Sequence, residues 1–183
     1  HSRNASALVV SSGLISLIVI MIFKGRQNYN NLDCCKLSDF INLRCIKIQD
    51  TMKVLLINGS PRSNGNTFTA LKEVAGALGA EGVETEIVSI GANAVQGCIA
   101  CRKCAELGRC VFNDGLYSSI WEKLRTADGI VIGSPVYYAG PNGSLCALLD
   151  RLFYSAAQLL EYKPATAVAV CRRGGASAAL DRL

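Results

Sequence analysis

The feature that most constrains this chain is an alternation, from Met52 onward, of short strand-like runs with amphipathic segments. Three apolar runs predict buried strands at 53–58, 128–133 and 165–171, and an alternating segment predicts another at 84–90. Between them, apolar residues three and four positions apart predict helices around Phe68–Leu78, around Leu116–Leu124 and over 143–160. Strands that alternate with helices form a parallel sheet with right-handed crossovers.

This order predicts an α/β fold with three layers, in which helices cover both faces of a doubly wound parallel sheet. In the flavodoxin-like version the strands run in the order 2-1-3-4-5, and the ligand lies at the switch point between the first and third strands. Four strands are visible in this sequence, with a further helix possible after Gly175. We therefore expect the fifth strand to be missing and residues 52–183 to form a C-terminally truncated domain.

The segment before Met52 has a different character. Residues 5–23 are mostly apolar and just long enough to span a bilayer, and Lys24 and Arg26 after them would leave the next domain on the cytoplasmic side. Three interpretations stay open: upstream sequence with no role, a leader, or a membrane anchor. We expect residues 1–51 to lie outside the fold, with 24–51 as a linker.

Charge and cysteine content limit the function classes. Residues 1–51 hold six Lys/Arg and three Asp/Glu, whereas the other 132 residues hold thirteen and eleven. Such a balanced domain lacks the basic face that nucleic acid requires. Nine cysteines, four of them between Cys98 and Cys110, suggest a metal or redox loop in a reducing compartment rather than a secreted disulfide scaffold. We expect a cytoplasmic protein, or one held at the cytoplasmic face of a membrane by residues 5–23.

A loop rich in Gly, Ser and Asn joins the first predicted strand to the first helix. A helix N-terminus presents free N–H groups and attracts phosphate, and Ser60, Ser63 and Thr67 add hydroxyl groups while Arg62 adds a charge. The spacing fits neither the Walker A motif nor the dinucleotide fingerprint. The loop therefore favours a terminal phosphate such as that of FMN, with an ordinary capped helix as the alternative.

A second loop follows the third predicted strand at the same edge of the sheet. It reads Gly133-Ser134-Pro135-Val136-Tyr137-Tyr138-Ala139-Gly140. Adjacent tyrosines can pack on a planar ring while the backbone bonds to its edge, although they can equally be plain loop aromatics.

The four clustered cysteines are Cys98, Cys101, Cys104 and Cys110. Gaps of two residues let a tight loop bring thiolates to one [4Fe–4S] cluster, whose charge the nearby arginines and lysine would offset. Structural zinc usually takes two separated Cys-x-x-Cys pairs, and free redox thiols are a further alternative.

Together the three motifs, in this order, resemble those of the NADPH-dependent FMN reductase family within the flavodoxin-like fold. The iron–sulfur flavoproteins are the most similar branch, and the resemblance covers Met52 to about Gly175. It implies that the FMN phosphate is held by Ser60, Arg62, Ser63, Asn66 and Thr67. It implies that the ribityl chain and ring are lined by Pro135, Val136, Tyr137, Tyr138 and Gly140, with Arg173, Gly174 and Gly175 closing the far side.

The resemblance implies an oxidoreductase that takes a hydride from NAD(P)H onto FMN and passes electrons, through the cluster or directly, to a quinone, a flavin or another small acceptor. No protein acid or base is needed for hydride transfer, so no catalytic side chain is expected. A homodimer or homotetramer is also implied. The alternative is a non-catalytic carrier that exchanges electrons with ferredoxin. A third possibility is that this chain lacks too much of the sheet to function alone.

Overall fold

The computed structural model describes residues 5–12, 15–22 and 51–183. Its strands are β1 (Ala5–Ser12), β2 (Ile15–Ile22), β3 (Lys53–Asn58), β4 (Glu84–Ser89), β5 (Gly129–Tyr137), β6 (Gly140–Pro141) and β7 (Ala165–Cys171). Its helices are α1 (Asn66–Ala80), α2 (Cys104–Leu107), α3 (Gly115–Thr126), α4 (Gly143–Ser155), α5 (Ala157–Leu160) and α6 (Ala176–Arg182). Six of these strands lie in the order β1-β2-β7-β5-β3-β4, and β6 pairs with β5.

The central part of the sheet is parallel. β3 pairs with β4 on one side and with β5 on the other, and β5 pairs in turn with β7. Numbered from Met52, this is the order 2-1-3-4, so the predicted flavodoxin-like arrangement is confirmed. The switch point of the sheet lies between the carboxyl ends of β3 and β5.

Helices cover both faces because successive strand residues point to opposite sides. Leu55 and Ile57 of β3 pack in one buried cluster with residues of α3 and α4, such as Ile120 and Leu148. Leu56, between them, packs in a second cluster with α1. The apolar runs thus form the middle of three layers.

β5 and the long helix differ from their predicted bounds. β5 continues past residue 133 to Tyr137 because Val136 and Tyr137 pair with Pro141 and Gly140 of β6. The helix predicted over 143–160 ends at Ser155 and resumes as α5, since Ala156 (φ −119°, ψ 21°) leaves helical geometry.

Two segments of the region 1–51, which the sequence analysis expects to lie outside the fold, form strands beside the sheet, and the boundary at Met52 stays a prediction. β1 and β2 pair with each other, and β2 pairs antiparallel with β7 from Ser16 opposite Cys171 to Ile22 opposite Ala165. The free edge of β7 offers unpaired N–H and C=O groups, which an apolar strand can satisfy. The predicted linker, 24–51, lies outside the described residues up to residue 50.

Within the described ranges, no helix is long and apolar enough to cross a membrane.

Candidate functional site

A cavity of about 1010 Å³ opens at the carboxyl ends of β3, β5 and β7. It is lined by Ser60, Pro61, Arg62, Ser63, Asn64, Gly65, Asn66, Thr67, Pro135, Tyr137, Val170, Cys171 and Arg172. All five predicted phosphate-binding residues therefore line one cavity, and two of the five predicted ring residues join them there. Its position is the switch point at which doubly wound sheets hold their ligands.

The loop 59–67, which we call the phosphate loop, leaves the backbone N–H groups at the start of α1 without a capping side chain. Gly65 is the N-cap residue and no described side chain caps the helix, whose first turn also lacks acidic residues. Four N–H groups at such an end have no partner within the helix. These groups, with the positive end of the helix dipole, face the cavity beside Arg62 and suit an anion.

Buried polar groups fix the loop's path. Asn58 accepts a hydrogen bond from the Ser60 N–H at 3.1 Å and donates one to the Ser89 hydroxyl at 3.0 Å. The Ser60 hydroxyl in turn accepts from the Arg62 N–H at 3.1 Å. Thr67, only 2% exposed, also lines the cavity. The loop is therefore shaped by its own contacts before any ligand binds.

Two glycines let the loop approach β5 closely. The Gly59 N–H donates to the Gly133 carbonyl at 2.7 Å. A Cβ at Gly59 would stand 2.4 Å from Leu145 Cδ2 and 2.7 Å from that carbonyl oxygen. A Cβ at Gly133 would be 2.8 Å from Leu71 Cδ1. No side chain fits at either position without displacing the packing of the sheet edge.

Asn142, which the sequence analysis did not single out, links the phosphate loop to the loop 133–140, which we call the tyrosine loop. Its side chain is buried, donates to the Gly59 carbonyl at 2.7 Å and accepts from the Ser144 N–H at 3.1 Å. Its own N–H donates to the Ser134 hydroxyl at 3.0 Å. An Asn directly before an apolar helix is a typical N-cap signal, which could have identified it.

The tyrosine loop reaches the cavity with only part of its predicted set. Pro135 and Tyr137 line it, with Tyr137 half-exposed, whereas Val136 and Gly140 are not among the lining residues and Tyr138 is fully exposed. Tyr138 and Ala139 both have positive φ values, 48° and 61°, so the turn between β5 and β6 is strained.

The loop after β7 reaches the cavity with Arg172, which directly precedes the predicted residues. Arg172 lines the cavity together with Val170 and Cys171, whereas Arg173 and Gly174 are exposed outside it. Gly175 (φ 89°) approaches Ala139 so closely that a Cβ would lie 2.8 Å from the Ala139 Cα. This contact brings the third loop against the tyrosine loop.

These features fit FMN. The volume is at the upper end of the range of small-molecule sites. An uncapped helix start with Arg62, Ser63 and the buried Thr67 provides donors for a phosphate, and Tyr137 provides an aromatic surface for a ring.

The cysteine loop lies apart from this cavity. Cys98, Cys101, Cys104 and Cys110 all line a second, much smaller cavity of about 20 Å³. Cys98 and Cys101 are exposed, and all four are free thiols. The backbone between them is unusual, since Ala100 (φ 53°) and Arg102 (φ 60°) both adopt left-handed conformations.

Arg151 of α4 binds the C-terminal end of this loop. The sequence analysis did not identify this residue. Its guanidinium is buried, donates to the Cys110 Sγ at 3.4 Å and pairs with the Asp114 carboxylate at 2.5 Å. Burial, the largest single effect, lowers the pKa of Arg151, but its bonds to Cys110 and Asp114 together raise it above the usual value. A charged residue within the stripe of Leu148, Leu149 and Leu152 was the available signal.

The four thiols are the right kind of ligand for an iron–sulfur cluster, but their positions in this structure are not those of ligands around one metal centre. Four thiols on one cavity wall are the ligands that a [4Fe–4S] cluster requires. Among the described residues, however, no group of three Cys, His, Asp or Glu side chains is placed to hold a metal ion. The thiols would therefore have to move into ligand positions when a cluster binds.

Comparison with known proteins gives a family match over residues 52–183, to NADPH-dependent FMN reductase. An iron–sulfur flavoprotein of Methanocaldococcus jannaschii is 43% identical over 100 residues, which are 55% of this chain and 51% of that protein. One of Methanosarcina thermophila is 37% identical over 100 residues, covering 55% and 52%. The chain thus spans about half the length of these curated relatives.

A third relative, an iron–sulfur flavoprotein of Clostridioides difficile, is 28% identical over 134 residues, which cover 71% of this chain and 59% of that protein. Among solved structures, an NADH:FMN oxidoreductase matches with a TM-score of 0.42 and 23% identity, covering 63% of this chain and 56% of that one. The family match alone spans well over half of the chain, and the chain belongs to the NADPH-dependent FMN reductase family.

Proposed function

We propose that this protein is an FMN-dependent oxidoreductase that takes electrons from NAD(P)H and passes them to a quinone, a flavin or another small redox acceptor. The observation that carries the proposal is the cavity at the switch point, lined by the phosphate loop, Pro135 and Tyr137. FMN bound there supplies hydride acceptance from the nicotinamide and onward electron transfer.

The chain's own residues bind and orient the cofactor in this proposal. Arg62 and the open N-terminus of α1 hold the phosphate, and Ser60 shapes the loop through its bond with the Arg62 N–H. Tyr137, half-exposed, supports one face of the ring and leaves the cavity open to a nicotinamide.

The cysteine loop extends the proposal to a [4Fe–4S] cluster, which supplies single-electron transfer. Cys98, Cys101, Cys104 and Cys110 would hold it, and the names of the curated relatives support this assignment. Free thiols are kept reduced in the cytoplasm, which is the location we propose.

A homodimer or homotetramer is proposed as the working assembly. Large apolar side chains are exposed on the cysteine loop and on α4, including Ile99 and Leu107 (both 56%) and Tyr154 (61%). Exposed apolar groups that lie together mark surfaces that bind other chains.

A second candidate function is that of an electron carrier that exchanges electrons with ferredoxin and oxidises no NAD(P)H. The exposed basic residues Arg102, Lys103 and Arg109 on the cysteine loop favour it, because they would attract an acidic protein partner.

The deciding experiment uses the purified protein, prepared without oxygen. We expect bound FMN in its absorption spectrum and loss of NADPH or NADH absorbance when a quinone is added. FMN without nicotinamide oxidation, but with electron exchange with ferredoxin, would support the carrier instead. Protein that binds no FMN would overturn both functions.

A further inference from the structure

Arg151 is a charged residue where the fold would normally place an apolar one. It is 1% exposed and lies on α4 between Leu149 and Leu152, both buried in the main apolar cluster. A buried guanidinium is tolerated only if its charge and its N–H groups are matched by partners. Its partners therefore indicate why the residue is there.

Those partners all belong to the segment that carries the cysteines. Arg151 donates from Nε to the Cys110 Sγ at 3.4 Å, and from its terminal nitrogens to the Gln96 carbonyl at 3.3 Å and the Phe112 carbonyl at 2.6 Å. The Asp114 carboxylate lies 2.5 Å from Nη1. Gln96 precedes Cys98 by two positions and Phe112 follows Cys110 by two, so one side chain ties both ends of the loop to α4.

Tyr117 also helps to anchor the loop, because it contacts both Arg151 and Cys110. Its ring lies 4.6 Å from the Arg151 guanidinium, and its hydroxyl accepts a hydrogen bond from the Cys110 N–H at 2.9 Å. The same hydroxyl pairs with the Ser155 hydroxyl at 2.6 Å. Cys110 is thus held through both its backbone and its sulfur by groups that are themselves buried.

The other three cysteines lack such an anchor. Among the described residues, the Cys98 sulfur accepts from the nearby Ala100 N–H alone, at 3.4 Å, and the Cys104 thiol donates to the Tyr154 carbonyl at 3.7 Å. Left-handed residues separate Cys98 from Cys104, and α2 is a single turn. Cys110 is therefore the thiol of this loop that buried side chains hold, whereas the segment from Cys98 to Cys104 has fewer and longer contacts.

We infer that Arg151 is a positioning residue for the cysteine loop: it fixes Cys110 as the first ligand and sets a buried positive charge in contact with that sulfur. The inference rests on the proposed cluster. With Cys110 placed in advance, only the segment from Cys98 to Cys104 has to close around iron. Outer groups that orient metal ligands commonly change metal affinity by about 10- to 100-fold.

The charge has its own effect. A cluster held by four thiolates becomes more negative when it is reduced, and a nearby guanidinium that bonds to a ligand sulfur stabilises that state. Arg151 therefore raises the reduction potential of the site. Removal of the charge shifts the potential to more negative values, whereas a lysine retains the charge but loses the forked hydrogen bonds.

The test compares Arg151→Met, Arg151→Lys and Tyr117→Phe with the control Arg125→Met. Arg125 is an exposed arginine on α3 that pairs with Glu122, contacts the Trp121 ring and does not line the cavity of the four cysteines. Iron per FMN after a chelator challenge measures retention, and an EPR-monitored redox titration measures the potential. FMN content reports whether each variant is folded.

We expect Arg151→Met to retain about tenfold less iron per FMN and to show a more negative potential. Arg151→Lys should also lose iron, but its remaining cluster should titrate near the wild-type potential. If Arg151→Met fails to fold, Arg151→Lys and Tyr117→Phe decide, since both keep the buried volume and should still bind FMN while retaining less iron. Wild-type iron retention in these variants would overturn the inference alone. Wild-type protein without iron would overturn the cluster and the inference together.

Discussion

The FMN cavity and the cysteine loop are two candidate sites on one sheet, and they are constructed differently. The cavity is framed by buried polar groups such as Ser60, Thr67 and Asn142, and by backbone contacts between strands. One of its bonds joins Asn142 to Gly59, 83 positions earlier. The cysteine loop has two exposed cysteines, three residues with left-handed backbone (Ala100, Arg102 and Gly108) and one buried anchor, Arg151.

Because the two sites are built differently, we expect them to respond differently to their ligands. The cavity is formed by the edge of the packed sheet, so it should exist in the absence of FMN. Substitutions that disturb it should also lower the free energy of unfolding. The cysteine loop should reach its final form only with iron, so damage to it should leave FMN binding intact. Each prediction below separates these two behaviours.

The largest effect is expected for Cys104→Ala. A [4Fe–4S] cluster requires four ligands, so the variant should lose nearly all of about four iron atoms per chain and keep its FMN. Metal analysis and the flavin spectrum, both taken without oxygen, measure this, with Cys146→Ala on α4 as the matched control. Loss of FMN together with iron would break the comparison, and one zinc per chain would refute the cluster.

The next effect concerns the cavity. Arg62→Ala combined with Thr67→Ala should weaken FMN binding by at least about tenfold, because each charge-assisted hydrogen bond contributes roughly 1.5–3 kcal/mol. Flavin-fluorescence titration gives the affinity, and Thr69→Ala with Arg125→Ala is the control for side chains outside the cavity. Iron content should not change. Unaltered FMN affinity would disprove the phosphate site.

A smaller effect on stability should follow Gly59→Ala. The new Cβ meets Leu145 and the Gly133 carbonyl oxygen at less than 3 Å, so the edge of the sheet has to shift, at a cost of about 1–3 kcal/mol. Gly76→Ala, in α1 with nothing within 4 Å, should instead stabilise by about 0.5–1 kcal/mol. Urea unfolding of both variants tests this, and equal stabilities would mean that the cavity edge is not tightly packed.

A still smaller effect depends on pH. Burial, the largest single effect, raises the pKa of Asp114, but bonds from the Tyr117 N–H and Arg151 outweigh it and leave the pKa below its usual value. Its stabilisation is therefore present above the unfolded pKa of about 3.9 and is lost as the pH falls through the folded value.

Because the Asp114 side chain is 44% exposed, this contribution should be below about 1 kcal/mol. Asp114→Asn should flatten the fall in unfolding free energy below about pH 4, as followed by urea unfolding at several pH values. If the unfolding free energy of the variant and of the wild type falls equally with pH, Asp114 does not help to anchor the loop.

The smallest change is expected on deletion of residues 1–51. The family match begins at residue 52, and no earlier residue that the structure describes lines either cavity, so FMN and iron contents should equal those of the longer chain. β2 covers the edge of β7, however, and that edge becomes free. Aggregation of the shortened chain, measured by light scattering, would show that the domain boundary at Met52 is wrong.

The strands β3, β4, β5 and β7 and the residue types at both sites can be predicted from the amino-acid sequence, whereas β1, β2 and β6 were not predicted. β3 and β7 have their predicted bounds because a run of apolar residues, read locally, specifies a buried strand. The phosphate loop was predicted for the same reason, since its Gly, Ser and Asn residues are consecutive and precede a helix. The cysteine spacing likewise indicates a candidate metal loop without any knowledge of the geometry.

The contacts between these parts depend on the folded structure. Arg172 rather than Arg173 lines the cavity, and Asn142 and Arg151 bond to groups that lie far away in the sequence. The pairing of β2 with β7 likewise depends on an edge that exists only in the assembled sheet. Apolar periodicity is a local property, whereas a buried charge or a hydrogen bond between loops acquires its partner only when the chain has packed.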